Sequence, residues 1–293
     1  MKPPSHSPIS THLNRRFFLV AAGSFAATTL FAGCGTNTSE SASSETSSGA
    51  SSASAKLTVG ATPVPHAEIL RFVKDNLAAN EGLDLEIVEF TDYVQPNLAL
   101  NDKQLDANFF QHVPYMEDFA KERGLDLVAV VPVHIEPLGL YSRKIKSLSE
   151  VSDGAQLAVP NDATNLGRSL KLLQDNQLVQ LKSGVGVEAT SQDVEANPKN
   201  IKLVELEAAQ LPRALDDVEL AIINGNYAIE TGLNPTKDAL ALEKAEGNPY
   251  ANILAVIKGR ETDPNIQKLA TLLTSPETKK FIQDKYQGAV IPA

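Results

Sequence analysis

Cysteine is nearly missing from this chain: Cys34 is the only one in 293 residues, so no intrachain disulfide can form. Aromatic residues make up 5% of the sequence, which makes any cluster of them informative. Basic residues number 26 against 36 acidic ones, a net charge of −10, and this excludes the electrostatic footprint of a nucleic-acid binder. The apolar run from Phe17 to Ala32 is shorter than the roughly 20 residues a membrane-spanning helix needs. No internal repeat is evident. No Ser, His and acid constellation and no Gly-rich phosphate loop stands at recognisable spacing, which argues against an enzyme.

What is present begins with an address. His12 to Arg16 is polar and basic, Phe17 to Ala32 is apolar with small residues, and Ala32-Gly33-Cys34 closes the segment, the three-part form of a secretory signal. Asn14-Arg15-Arg16-Phe17-Phe18-Leu19 resembles a twin-arginine export signal, with Sec export as the alternative route. Leu30-Phe31-Ala32-Gly33-Cys34 resembles a bacterial lipobox, with Phe31 where Leu is usual. The expectation is a signal over 1–33, lipidation at Cys34, and anchoring of the exported protein to the outer face of the cell membrane. Acyl chains contribute about 0.8 kcal/mol per buried methylene, so two or three of them hold a soluble domain at a membrane. Residues 35–55 are Gly, Ser, Thr, Ala and Asn with two Glu, too polar to order themselves, so 34–55 reads as a flexible tether. Without the signal the chain has 23 basic and 36 acidic residues, or −13, so an anionic ligand must be met locally by Arg and backbone N–H groups.

The body alternates strand and helix signals. Leu57 to Ala61 is a short strand, Ile69, Leu70, Val73 and Leu77 recur at helical spacing, and Leu83, Leu85 and Ile87 alternate with polar positions, mostly acids. That order begins an α/β sheet. Thr91-Asp92-Tyr93 caps a helix over 94–101, Leu105 to Phe110 is extended, His112-Val113-Pro114-Tyr115 starts a helix, and Leu125 to Val133 is a long apolar strand. Tyr93, Phe110, His112 and Tyr115 therefore fall at strand-to-helix junctions, where ligands sit in open α/β sheets. Pro137 to Tyr141 reads as a first crossing into a second domain, and Asn248 to Asn252, leading into Ile253 to Ile257, as the return. The expected division is 56–136 with 256–293 as one domain and 137–255 as the other.

Within the second domain, Gln156 to Val159 is a strand that stops at Pro160. A loop of Asn, Asp and Thr follows, and Leu166, Leu170, Leu172 and Leu173 begin a helix at once. The first turn of such a helix carries unpaired N–H groups and the positive end of its dipole, and Arg168 adds a fork of donors matched to a carboxylate. Two readings stand at this point: a site for the carboxylate of a small ligand, or a capped helix whose Arg168 pairs with an acid. Ile201 to Glu207 and Glu219 to Ile223 are strands, the latter ending at Asn224-Gly225-Asn226-Tyr227, and Ser275-Pro276 is a clean helix start.

Five spaced blocks, Thr91 to Asn97, Phe110 to Tyr115, Ser142 to Leu148, Pro160 to Arg168 and Glu205 to Arg213, together resemble the MetQ/NlpA family of methionine-binding lipoproteins, and the likeness covers nearly all of 56–293. It implies an α/β, two-domain periplasmic-binding-protein fold, type II-like, with two crossing strands and the ligand in the interdomain cleft. It implies a receptor that passes L-methionine to the permease and ATPase subunits of an ABC importer, with no cofactor. By position, Arg168 would bind the α-carboxylate with Asn165 in support, Asn224 and Asn252 would meet the amino-acid head, and Tyr93, Phe110, His112 and Tyr115 would enclose the thioether. The residue types suit that cargo, because a thioether gains about 0.3 to 1.5 kcal/mol per aromatic contact and a buried zwitterion needs both ends paired. Whether Asn226 also faces the cleft stays open at this point.

The alternatives are a receptor for D-methionine, a methionyl peptide or another amino acid, a metal-binding receptor, and an enzyme. For a metal, His66, His112 and His134 are far apart in sequence and lack close ligand spacing, so no metal site is expected.

Overall fold

The computed structural model of the protein describes residues 55–293; the signal, the lipobox with Cys34 and the tether up to residue 54 lie outside the described residues. Strands β1 (Ala55–Ala61) and β2 (Leu83–Glu89) pair in parallel around helix α1 (Glu68–Asn76), which buries Ile69, Leu70 and Val73. In β2, Leu83 and Leu85 are buried while Asp84 and Glu86 are exposed, the alternation of an edge strand with one wet face. Helix α2 (Gln95–Asn101) follows, its start fixed by the Asp92 carboxylate, which accepts from the N–H groups of Val94 and Gln95. Strand β3 (Ala107–His112) is buried along its whole length and leads directly into α3 (Val113–Arg123) and then β4 (Leu127–Ile135).

The chain leaves this sheet through 136–138. The second sheet is built from β5 (Gly139–Tyr141), β6 (Gln156–Pro160), β9 (Lys202–Leu206), β10 (Leu220–Ile223) and β11 (Ala241–Leu242), with a small hairpin of β7 (Gln180–Leu181) and β8 (Val194–Ala196) outside it. Helices α4 (Ala163–Asp175), α5 (Leu211–Ala214), α6 (Gly225–Glu230) and α7 (Pro235–Asp238) connect these strands. Residues 243–250 lead back to β12 (Ala251–Ile257) in the first sheet, followed by α8 (Pro264–Leu273), α9 (Pro276–Tyr286) and β13 (Ile291–Pro292).

The first sheet runs β13-β4-β12-β3-β1-β2 and the second β11-β5-β10-β6-β9. Strand β12 lies between β3 and β4 and is antiparallel to both, so the expected boundary at 255/256 falls inside a strand that belongs entirely to the first sheet. In the second sheet β6 is parallel to β9 and β10, whereas β5 and β11 run antiparallel. Each sheet has its own core. Val59, Leu70, Phe109, Leu254 and Leu269 belong to the first, while in the second Leu157 and Ile222 face one side and Ala158 and Ile223 the other, the period of two that a strand imposes.

Three strands end where polar residues cluster: β3 at His112, β6 at Pro160 and β10 at Ile223. The polar residues singled out from the sequence lie at or just beyond these ends, His112 closing β3, Asn165 and Arg168 in α4 and Asn224 capping α6, with Asn252 joining them from β12.

Candidate ligand-binding site

His112 closes β3 in extended conformation and caps α3, its Nδ1 accepting from the Tyr115 N–H at 3.2 Å. Since Nδ1 is an acceptor, the ring proton is on Nε2, which donates to Asn165 Oδ1 at 3.3 Å. Burial, reinforced by the positive charge of Arg168, lowers the pKa of His112 to about 3, so the ring is neutral at physiological pH.

Asn165 in turn is fixed by the helix cap. The Asp162 carboxylate accepts from the Asn165 backbone N–H at 2.9 Å and from its side-chain amide at 2.9 and 3.0 Å. Its Oδ1 is therefore turned outward, and besides His112 it accepts from Asn224 Nδ2 at 3.1 Å. The amide joins β3, α4 and the turn after β10, and acts as an organiser of its neighbours.

Arg168 lies nearly one helical turn further along α4 and is buried. Its Nε donates to both oxygens of Glu243 at 2.9 and 3.1 Å, and Nη2 donates to Glu243 Oε2 at 2.5 Å and to the Glu136 carbonyl at 2.8 Å. The Tyr250 ring covers the guanidinium at 4.4 Å, a cation–π contact. Arg168 thus pairs with an acid and also lines a cavity. Glu243 and Tyr250, the residues that orient it, lie on the returning segment and carry no sequence signal of that role.

Asn252 enters from β12. Its Oδ1 accepts from His66 Nε2 at 3.0 Å, and His66 Nδ1 is 2.7 Å from Thr62 Oγ1, so the hydroxyl donates to Nδ1. Tyr93, Phe110 and Tyr115 form an aromatic wall with ring centroids 5.7 to 6.2 Å apart. The Tyr115 hydroxyl donates to the Tyr93 carbonyl at 3.0 Å, and the Tyr93 hydroxyl donates to Asn226 Oδ1 at 2.6 Å.

These side chains converge on one narrow cavity with about 340 Å³ of atom-free space, including its opening to solvent. All eight residues expected from the sequence, Tyr93, Phe110, His112, Tyr115, Asn165, Arg168, Asn224 and Asn252, line it, together with Gln111, Glu136, Gly225 and Asn226. Asn226 lines the cavity as well, its Oδ1 held by the Tyr93 hydroxyl. Two buried polar atoms in the wall have no hydrogen-bond partner among the described residues, Asn224 Oδ1 and Asn226 Nδ2. An acceptor and a donor are thus available to a small polar guest.

His66 and His134, 68 positions apart in the chain, meet behind the cavity with ring centroids 4.9 Å apart. Glu136 Oε1 lies 2.8 Å from His134 Nε2 and 3.2 Å from His66 Nε2. Among the described residues this is the group whose potential metal-ligating atoms converge, within 4.8 Å of one another. Lack of close sequence spacing therefore did not imply separation in space; within the group His134 Nε2 is hydrogen-bonded to Glu136, while His66 Nε2 is bonded to Asn252.

The comparisons with known proteins point one way. D-methionine-binding lipoprotein MetQ of Escherichia coli K12 is 48% identical over 212 residues, 72% of this chain and 78% of that protein. A nutrient-binding protein from Burkholderia cenocepacia, solved bound to methionine, superposes with a TM-score of 0.78 at 44% identity, covering 81% of this chain and 99% of that one. A periplasmic substrate-binding protein of an ABC transporter from Coxiella burnetii gives the same TM-score at 41% identity, covering 81% of this chain and all of the other. The profile of the NlpA lipoproteins matches residues 57–293, and the chain belongs to that family, with the α/β fold of its periplasmic substrate-binding members.

Proposed function

We propose that the chain is the substrate-binding lipoprotein of an ABC importer, anchored through Cys34, and that it captures L-methionine and passes it to permease and ATPase subunits in the membrane. The observation that carries this reading is the make-up of the cavity: an aromatic wall on one side, and a buried arginine among asparagine amides on the other. The first suits a flexible thioether and the second a zwitterionic head. The relatives named for methionine, and the one solved with methionine bound, support the choice of cargo.

In this reading Arg168 receives the α-carboxylate. Its Nε and Nη2 are held by Glu243 and the Glu136 carbonyl, and among the described residues Nη1 makes no hydrogen bond, so Nη1 is the donor offered to the ligand. Asn165 acts through its neighbours, Asn224 and Asn252 meet the head group, and Tyr93, Phe110, His112 and Tyr115 enclose the side chain. The role is capture and release without turnover. Each sheet is the base of one lobe, and the ligand bridges the two, so its greater affinity for the closed form drives closure.

A thermal-shift panel of the common amino acids tests this reading. A ligand at a hundred times its Kd stabilises the fold by about 2.7 kcal/mol. Methionine is expected to raise Tm by several degrees while the others leave it in place; a shift with a different amino acid and none with methionine would overturn the cargo.

A further inference from the structure

Each sheet lends a side chain to the other's core. Tyr93, in the turn after β2, packs against the second-sheet cluster that contains Ala158, Leu211 and Ile223. Ile229, in the last turn of α6, packs against the first-sheet cluster that contains Val59, Leu70 and Leu269. Between these two, the Tyr227 hydroxyl donates to the Thr91 carbonyl at 3.2 Å, and the Tyr93 and Tyr227 rings lie 5.1 Å apart. Helix α6 also lies against Pro63–Ala67, the turn that precedes α1. Tyr93 and Asn226 belong to the cavity wall, whereas Tyr227 and Ile229 are not among the residues that line it.

Resting on the functional reading above, we propose that Tyr227 and Ile229 are affinity-determining residues that do not touch the ligand: they latch the lobe of the second sheet onto that of the first and set how long the amino acid is held. Contacts that form only when the lobes meet lower the free energy of the closed form alone, and apparent affinity rises in proportion to the fraction of protein in the binding-competent form. Ile229 suits this task because it is half-buried and the apolar residues it packs against are those of the opposite core, so the surface it removes from water is removed by closure. Tyr227 keeps its ring in the core of its own sheet and adds a hydrogen bond across the gap. Helix α6 is six residues long, with Asn224 of the cavity wall capping its start and Ile229 near its end. The wall residue and the latch move as one element, so a guest that draws Asn224 toward the first lobe seats Ile229 as well.

The test measures L-methionine and norleucine, which share the head group and differ at the thioether, by calorimetric titration and stopped-flow dissociation on the full chain. Ile229→Ala is expected to weaken methionine by about tenfold with one site per chain retained, and Tyr227→Phe, which loses only the hydroxyl, by about threefold. In both variants the loss should appear as faster dissociation. The preference for methionine over norleucine should stay as in the wild type, because both ligands use the same closed form. Ile229→Val keeps most of the apolar surface and should fall between the wild type and the alanine variant. A residue that merely braces the fold would lower the number of active sites per chain and leave Kd and the dissociation rate alone; that result would overturn the proposal, as would a changed preference between the two ligands. If Ile229→Ala fails to fold, Tyr227→Phe decides by its dissociation rate: a wild-type rate refutes the latch and a faster one supports it. A wild type that gives no heat with methionine fails the functional reading itself, a different signature from variants that bind it and release it sooner.

Discussion

Three histidines are buried in the described chain, and burial holds each well below its ordinary value of 6.5: His66 at about 4, His112 and His134 at about 3. The unfolded chain binds a proton at each of them as the pH falls through 6.5, whereas the folded chain refuses it. The unfolded state then binds more protons, so stability is fully present above pH 6.5 and is lost as the pH falls toward 4. Each proton contributes up to about 1.4 kcal/mol per pH unit. Glu136 and Asp162, both pushed upward by burial, take up protons in the folded state and offset part of the loss. Urea unfolding at pH 7.5, 6 and 5 should therefore give a midpoint that falls toward acid; a flat or rising midpoint would show that these rings are not kept neutral.

At the scale of elements, α4, which carries Asn165 and Arg168 of the cavity wall, is seated tightly. Gly167 packs against the backbone of the 183–190 loop, where an added Cβ would collide with the Val187 carbonyl oxygen. Gly167→Ala is expected to cost about 1 to 3 kcal/mol in denaturant titrations, as overpacking does. Equal stability would mean that the loop yields freely. The start of α4 is legible in the sequence, because Asp162 sits at the cap and the leucines recur at helical spacing, and its Oδ1 indeed accepts from the Asn165 N–H at 2.9 Å. The same holds for α9, where Ser275 accepts from the Thr278 N–H at 3.2 Å ahead of Pro276. Helix α8 is not among the expected elements, although Asp263-Pro264 followed by Ile266, Leu269, Ala270 and Leu273 carries the same signal. The two-residue strands β7, β11 and β13 are too short for any periodicity to mark them. In the site, aromatics at strand ends and the arginine can be found from local pattern. Glu136, Glu243 and the meeting of His66 with His134 cannot, since each depends on which distant strands become neighbours.

At the scale of the whole molecule, the cavity is assembled from elements of both sheets. Hydrogen bonds from the Tyr93 hydroxyl to Asn226 and from the Tyr227 hydroxyl to the Thr91 carbonyl at 3.2 Å tie the turn after β2 to the start of α6, and His112 to Asn165 ties β3 to α4. In the proposed reading a guest held among these groups touches both sides at once, so that binding energy favours closure. In that reading, affinity for the amino-acid ligand depends above all on Arg168, which receives the α-carboxylate. The most direct measurement is calorimetric titration of L-methionine, D-methionine and a panel of other amino acids into protein unfolded and refolded to strip retained ligand, in parallel with Arg168→Ala. The expected result is one site per chain, micromolar or tighter for L-methionine, and at least about tenfold weaker in the variant. Unchanged affinity in the variant, or binding of an unrelated amino acid with no heat from methionine, would contradict it.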